Sequence, residues 1–370
     1  FFLSFYLYPK ICDILYYKKL ADEPNERSSH TESVPNLGGI AFFISLFLSF
    51  YFIEKFDDEK LIMSIIPGLI ILFIVGLKDD LVILGPLSKL CAQGVSALFL
   101  VFHNSFSVQS LNGFLEIQQI PQALSISLAV LFIVTIINAI NLIDGIDGLA
   151  ATISIIMFVI YGSLFYYLSY FFLVLVCAVM TGSLIAFLRY NLSNRKKIFM
   201  GDTGSMILGF VIAFMTVRLF ALDEDSLNAL PIQVQNLPLV ITAVLIIPLF
   251  DTARVFAVRI FKKKSPFSAD RSHIHHLIID YYKISHRRAS FIIGLVNFLI
   301  ILLFSYLSIT TTQWTLIMLF IMVIIAASIF FFILNRPKIV RKIKYQYYRK
   351  YSSKSRENPQ VSQNSDTYSE

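Results

Sequence analysis

Apolar runs alternate with short polar stretches almost to the end of the chain, most of them near the roughly 20 residues that cross a bilayer as a helix. They predict helices over residues 1–17, 37–53, 61–77, 88–102, 123–143, 149–167, 169–188, 204–221, 237–260, 290–309 and 314–335. Only helices and closed barrels satisfy their backbone inside lipid, and runs of this length are helices. The fold class that follows is an all-α polytopic integral membrane protein of about 11 transmembrane helices. Residues 1–335 form the membrane domain, and residues 336–370 form a basic and then disordered tail. The first run contains Pro9 and Asp13 and reads as the end of a longer helix, not as a cleavable signal peptide.

Composition agrees with the pattern. The 370 residues are 56% hydrophobic and 15% charged, against about 45–50% and 25% in soluble domains. Cys12, Cys91 and Cys177 each sit in or beside an apolar run, at spacings that suit neither a metal site nor a disulfide framework. Charge then orients the helices. Of the 31 lysines and arginines, all but Lys10, Lys55, Lys60 and Arg218 fall on one set of alternate connections or in the tail, and Lys10 is counted with that side. That side is expected to be cytoplasmic. The tail segment RPKIVRKIKYQYYRK is expected to lie on the anionic inner leaflet and not on a nucleic acid.

The unusual polar phrases DEPNERSSH, LKDD, NLIDGIDG, FMGDTGS and DRSHIHH all map to the basic side. Solvated connectors would place such phrases on both faces, so one site built from five loops is expected. In NAINLIDGIDG, Asn138, Asn141 and Asp144 are three apart and fan across one helix face, while Gly145 and Gly148 allow a sharp turn. Capping by Asp147 explains one aspartate and neither asparagine. The adjacent Asp79 and Asp80 call for a cation or a phosphate-bound metal, and Lys89 and Gln93 stand one turn apart nearby. Asp202 lies between two glycines at a helix start, where backbone N–H groups suit an anion and the carboxylate suits Mg²⁺. His273, His275 and His276 stand beside Asp270 and Arg271, without the second ligand pair that zinc requires. With the nearby basic residues they suggest a di- or polyphosphate cradle. Carboxylates for a metal and cations for phosphates together are what phosphoryl transfer needs.

These phrases, with VPNLGGI, SKLCAQ and PLFDTARVF, resemble the polyprenyl-phosphate N-acetylhexosamine-1-phosphate transferases over about residues 22–276. Their order is similar to the undecaprenyl-phosphate N-acetylglucosaminyl-1-phosphate transferase branch. The resemblance implies transfer of a sugar-1-phosphate from a UDP-N-acetylhexosamine to undecaprenyl phosphate in the bacterial inner membrane, with UMP released and Mg²⁺ or Mn²⁺ required. It implies Asn141, Asp144 and Asp202 at the metal, and Asp79 and Asp80 at the lipid phosphate with Lys89 also facing phosphate. Asp147 and Phe199 would meet the uridine, and Arg271, His273, His275 and His276 the pyrophosphate and sugar. Asp79, Asp80, Asp144 and His273 are the catalytic candidates, and Asn138 joins the substrate-binding set. Leu81 to Leu84 offer no third acid after the paired aspartates, and the helix after DGLA begins AATIS without the family's glycine turn.

The sister branch, which transfers phospho-MurNAc-pentapeptide in peptidoglycan synthesis, has a histidine phrase richer in consecutive histidines than SHIHHL. An ion-coupled transporter would place carboxylates near the bilayer midplane, commonly in repeated halves, and no repeat is visible here. The sugar, the polymer pathway and the assembly state, a homodimer included, are left open by the residues.

Overall fold

The computed structural model describes residues 1–18, 34–52, 59–103, 106, 108, 110–117, 119–193, 196–263, 265 and 273–334. DEPNERSSH, Arg271 and the basic tail lie outside them. Residues 1–320 form one compact unit, and a second begins at Ile321.

Each apolar run folds as a helix, that over 237–260 as two. These are α1 (Phe2–Lys18), α2 (Gly39–Ser49), α3 (Glu59–Leu81), α4 (Pro86–Val101), α5 (Gln122–Ile143), α6 (Leu149–Tyr167) and α7 (Phe171–Asn191). There follow α8 (Gly201–Phe220), the short α9 (Glu224–Leu227), α10 (Leu237–Val244), α11 (Ile246–Phe261), α12 (Ile274–Tyr282), α13 (His286–Thr310) and α14 (Gln313–Leu334). Among the described residues, α5 to α8, α13 and α14 are long and apolar enough to cross a membrane, and α10 with α11 makes a seventh if counted together. The chain is therefore polytopic, but this measure supports fewer crossings than the eleven expected. Part of the shortfall lies in runs that fold as shorter helices, 11 residues for α2 and 16 for α4.

The run over 237–260 is not one helix. It bends by 65° between α10 and α11, and Pro248 is the cause. Proline has no N–H for the carbonyl four residues back and its ring collides with that carbonyl, here Val244, the last residue of α10.

The centre of the bundle is α8, in which every residue from Thr203 to Val217 is buried. A helix apolar all round must be enclosed on all sides, and α2, α3, α5 and α6 pack around it. Small residues set the distances, because helices in lipid associate through close packing. Gly39 of α2 lies on Gly204 and Thr203 of α8, and Gly209 of α8 lies on the Ile137 backbone of α5. A few buried hydroxyls add polar links. Tyr161 of α6 meets Thr216 of α8 at 2.6 Å, and Ser4 joins Ser45 and Ser183 across α1, α2 and α7.

A Cβ on Gly39 would stand 2.7 Å from the Thr203 carbonyl carbon, which is backbone and cannot swing aside. Gly39→Val is accordingly expected to push α2 off α8 and lower the thermal midpoint of the detergent-solubilised protein. An unchanged midpoint would show that this contact does not set the packing.

The topology brings one set of helix ends together. α3 and α5 finish, and α4, α6 and α8 start, on the same face of the bundle.

Candidate active site

The site is organised by the start of α8. Gly201 has φ +71°, and a Cβ there would stand 2.6 Å from an Asp80 carboxylate oxygen. This left-handed step aims the first N–H groups of α8 at the end of α3. Asp80 accepts them: Asp202 N–H donates to Oδ1 at 2.7 Å, and Thr203 N–H and Oγ1 donate to Oδ2 at 3.0 and 2.5 Å. A helix start leaves donors unpaired and carries partial positive charge, and here a carboxylate from 122 residues away satisfies both. These donors are expected from the sequence to hold an anion, and they hold the Asp80 carboxylate.

Asp202 then projects from the first turn. Its Oδ2 accepts from Lys89 of α4 at 2.5 Å, and its Oδ1 from the Asn141 amide of α5 at 2.5 Å. Asn141 also donates to Ser205 at 2.8 Å. Lys89 reaches Asp79 as well, at 2.6 Å, while the other Asp79 oxygen accepts the Leu84 N–H at 2.7 Å. Asn138 is one helical turn from Asn141 and donates to Gln93 of α4. Asp79, Lys89, Asn141 and Asp202 are thus one hydrogen-bonded group at the ends of α3, α4, α5 and α8, with Asn138 and Gln93 behind it.

The NLIDGIDGLA phrase supplies the next layer. Asp144 caps the end of α5. Burial, followed by the negative charges of Asp202, Asp147 and Asp80, pushes its carboxyl up to about 7. Gly148, at φ +80°, makes the turn into α6, and its N–H donates to Asn191 at 2.7 Å. Asp147 does not cap α6. Its Oδ2 pairs with Lys197 at 2.7 Å and lies 3.5 Å from His286 Nδ1 at the start of α13. Burial raises the Asp147 carboxyl, but hydrogen bonds and charge from His286 and Lys197 outweigh it and hold the group below the usual carboxylate range.

Phe199 is pinned by its backbone, which donates to the Pro35 carbonyl and accepts from Gly38 N–H. Lys197 lies two residues before it on the same side of an extended segment, and the ammonium sits 5.2 Å from the Phe199 ring centroid. Ile198 between them is fully buried.

The histidine phrase reaches the same face through Asp251 of α11, a residue 2% exposed. Its carboxylate accepts from Arg254 at 2.9 Å, from His273 Nδ1 at 2.8 Å and from Ile274 N–H, the first residue of α12, at 2.9 Å. One group thus holds a cation, fixes an imidazole and caps a helix. The Asp251 carboxylate holds a proton on His273 Nδ1 and so fixes the orientation of the ring. His275 packs its ring against Gly145, which joins the histidine phrase to the aspartate phrase. Burial, with the neighbouring His276, pushes its imidazole down to about 3, so it is neutral, and neither ring nitrogen has a hydrogen-bond partner among the described residues. His276 lies beside it with its ring tilted by 53°, the centroids 4.4 Å apart.

Asp251→Ala would remove at once the acceptor shared by Arg254, His273 and the α12 start. Removing one partner of a buried ion pair costs about 3–5 kcal/mol, so a large drop in the thermal midpoint is expected, with activity lost. Asp251→Asn keeps an acceptor for Ile274 and is expected to recover part of the stability. Equal midpoints for the two variants would contradict the three-way role.

Among the described residues, no three His, Cys, Asp or Glu side chains converge as a ready metal cage. The donor set nonetheless fits Mg²⁺, which takes one or two carboxylates and fills its shell with water and substrate phosphate. Asp202, and Asp144 whose carboxyl feels the Asp202 charge, are the carboxylates available on this face. Lys197, His286 and the positioning role of Asp251 were not legible from sequence. Lys197 looks like one more positive-inside lysine, and a lone His286 at a helix start carries no signal.

The sequence profile of glycosyl transferase family 4 matches residues 62–220, which hold α3 to α8 and therefore the core of this cluster. A Bacillus subtilis protein named a probable undecaprenyl-phosphate N-acetylglucosaminyl 1-phosphate transferase is 31% identical over 289 residues, 75% of this chain and 74% of its own. Undecaprenyl-phosphate alpha-N-acetylglucosaminyl 1-phosphate transferases of Haemophilus influenzae and Escherichia coli K12 are 28% and 27% identical over 265 residues. They cover 70% of this chain, and 72% and 69% of their own lengths respectively. A matched stretch that carries the carboxylate cluster, and relatives aligned over most of both chains, place this protein in glycosyl transferase family 4 as a multi-pass membrane enzyme of the polyprenyl-phosphate sugar-1-phosphate transferases.

Proposed function

We propose that the enzyme transfers an N-acetylhexosamine-1-phosphate, GlcNAc-1-phosphate first among them, from a UDP-sugar to undecaprenyl phosphate. UMP leaves, and the lipid-linked product starts a cell-envelope polysaccharide such as O-antigen or teichoic acid. The observation that carries this reading is the gathering of Asp79, Asp80, Asp144 and Asp202 around Lys89 and Asn141 at one end of the bundle. The names of the relatives support the choice of sugar and acceptor. An apolar groove of about 300 Å³ runs along the halves of α5 and α8 away from this cluster, walled by Leu128 and Phe132 of α5, Val217 and Phe220 of α8, and Leu245 and Leu249 at the α10–α11 bend, so it suits the tail of a long lipid acceptor and not its phosphate.

In this reading a lipid phosphate oxygen attacks the β-phosphorus of the UDP-sugar. The bond from that phosphorus to the bridging oxygen breaks, and the electron pair leaves with UMP. A phosphate monoester is mostly dianionic at neutral pH, so Asp79 need only accept a residual proton while Lys89 turns from the carboxylates to a phosphate. Asp80 acts through α8, holding Asp202 in place. His273, set by Asp251, and the stretch with Arg271 meet the pyrophosphate and sugar. Mg²⁺, or Mn²⁺ in its place, held by Asp202 and Asp144 beside Asn141, would neutralise phosphate charge. The basic side is cytoplasmic in the inner membrane, and α1 to α4 complete eleven crossings.

Purified protein is expected to release UMP from UDP-GlcNAc only when undecaprenyl phosphate and Mg²⁺ are both supplied. Release without the lipid, or none with it, would overturn the reading. A panel of UDP-sugars, with UDP-MurNAc-pentapeptide included, identifies the donor.

A further inference from the structure

The Lys197 ammonium occupies two features at once. It pairs with Asp147 at 2.7 Å and rests 5.2 Å from the centre of the Phe199 ring. A uracil base uses the same two features in the proposed function, giving its ring N–H to a carboxylate and its face to an aromatic ring. We propose that Lys197 is a built-in competitor of the nucleobase, seated in the base pocket of the empty enzyme and displaced when the UDP-sugar enters. This inference rests on the placement of uridine at Asp147 and Phe199.

The surroundings favour a removable plug over a structural tie. The Lys197 side chain is 23% exposed and that of Asp147 is 19% exposed, so water reaches both. Asp147 keeps a second partner in His286, whose Nδ1 is 3.5 Å away on α13, so its carboxylate is not stranded when Lys197 leaves. Ser290 also donates to the Asp147 carbonyl at 2.7 Å, and Gly148 N–H is held by Asn191, so the turn stays fixed as the lysine moves. Phe199 is fixed through its own backbone, independently of Lys197. The pocket walls are therefore anchored, and the long lysine side chain is the part that can swing. A site partly filled by its own side chain binds ligand with an affinity lowered by the fraction of time it is open.

The test uses uridine, which has the base without the phosphates, as an inhibitor of UMP release by the full chain. Lys197→Met is expected to lower the uridine inhibition constant about three- to tenfold, the size of one part-exposed ion pair and one cation–π contact no longer competing. Lys197→Gln serves equally if the Met variant folds poorly, and Lys197→Arg, which keeps both contacts, is expected to stay within about twofold of the parent. Phe199→Ala is the control for the underlying reading and is expected to raise the constant. If Phe199→Ala raises it while Lys197→Met and Lys197→Gln raise it or leave it unchanged, the competitor role is overturned and the uridine site stands. If Phe199→Ala changes nothing, the uridine placement itself falls, and the competitor role with it.

Discussion

Asp202→Asn is expected to lower kcat for UMP release by about 10²–10³-fold, the loss typical of removing one preorganised charge-stabilising group. The physical reason lies in its two partners. Asp202 accepts from the Lys89 ammonium on one oxygen and from the Asn141 amide on the other. An asparagine has one acceptor and one donor, so one of these partners must face a donor. The charge balance at the ends of α3, α4, α5 and α8 also shifts by one unit, leaving Lys89 with Asp79 alone. The α8 start is held through the Asp202 backbone N–H, which the substitution leaves intact. The thermal midpoint is therefore expected to move little while kcat collapses. Activity within a few-fold of the parent would remove Asp202 from the centre of the site.

Asp80→Ala is expected to lose activity almost as deeply, but by another route and with a different signature. Loss of a helix cap costs about 0.5–2 kcal/mol, and Asp80 satisfies two backbone N–H groups and the Thr203 hydroxyl at once. The first turn of α8 then loosens, and it carries Asp202. Stability and kcat should fall together. Asp80→Asn retains one oxygen acceptor and is expected to lie between parent and alanine variant in both measurements. Were Asp80 a proton acceptor and nothing else, the two variants would be equally inactive with unchanged thermal midpoints.

Local pattern carried much of the outcome. The apolar runs locate the helices because each must bury or immerse an unbroken stretch, and NLIDGIDGLA announces itself by placing carboxylates and glycines where apolar residues belong. The gathering of Asp79, Asp144 and Asp202 followed from their placement on one side. What the sequence hid is long-range pairing. Asp80 reads as the twin of Asp79, yet one caps α8 and the other holds Lys89. Nothing local distinguishes them, because the deciding partner is 122 residues away. Asp251 likewise gains its meaning from His273, 22 residues on, across a stretch outside the described residues. Pro248 was visible, and the bend it forces was not drawn because the flanking apolar residues continue without a break. Lys197 was counted as a topology signal, and that count concealed its contact with Phe199.

The enclosure of α8 has a consequence for how the enzyme responds to its membrane. Bilayers of different thickness act on the helices they touch, tilting or displacing them at a modest cost per ångström of mismatch. From Thr203 to Val217, α8 is covered by protein, so such forces reach Asp202 only through the helices around it. Acyl-chain length should therefore leave the chemical step, seen in kcat, almost unchanged. The bundle shields its reaction centre from the bilayer while its outer helices follow it.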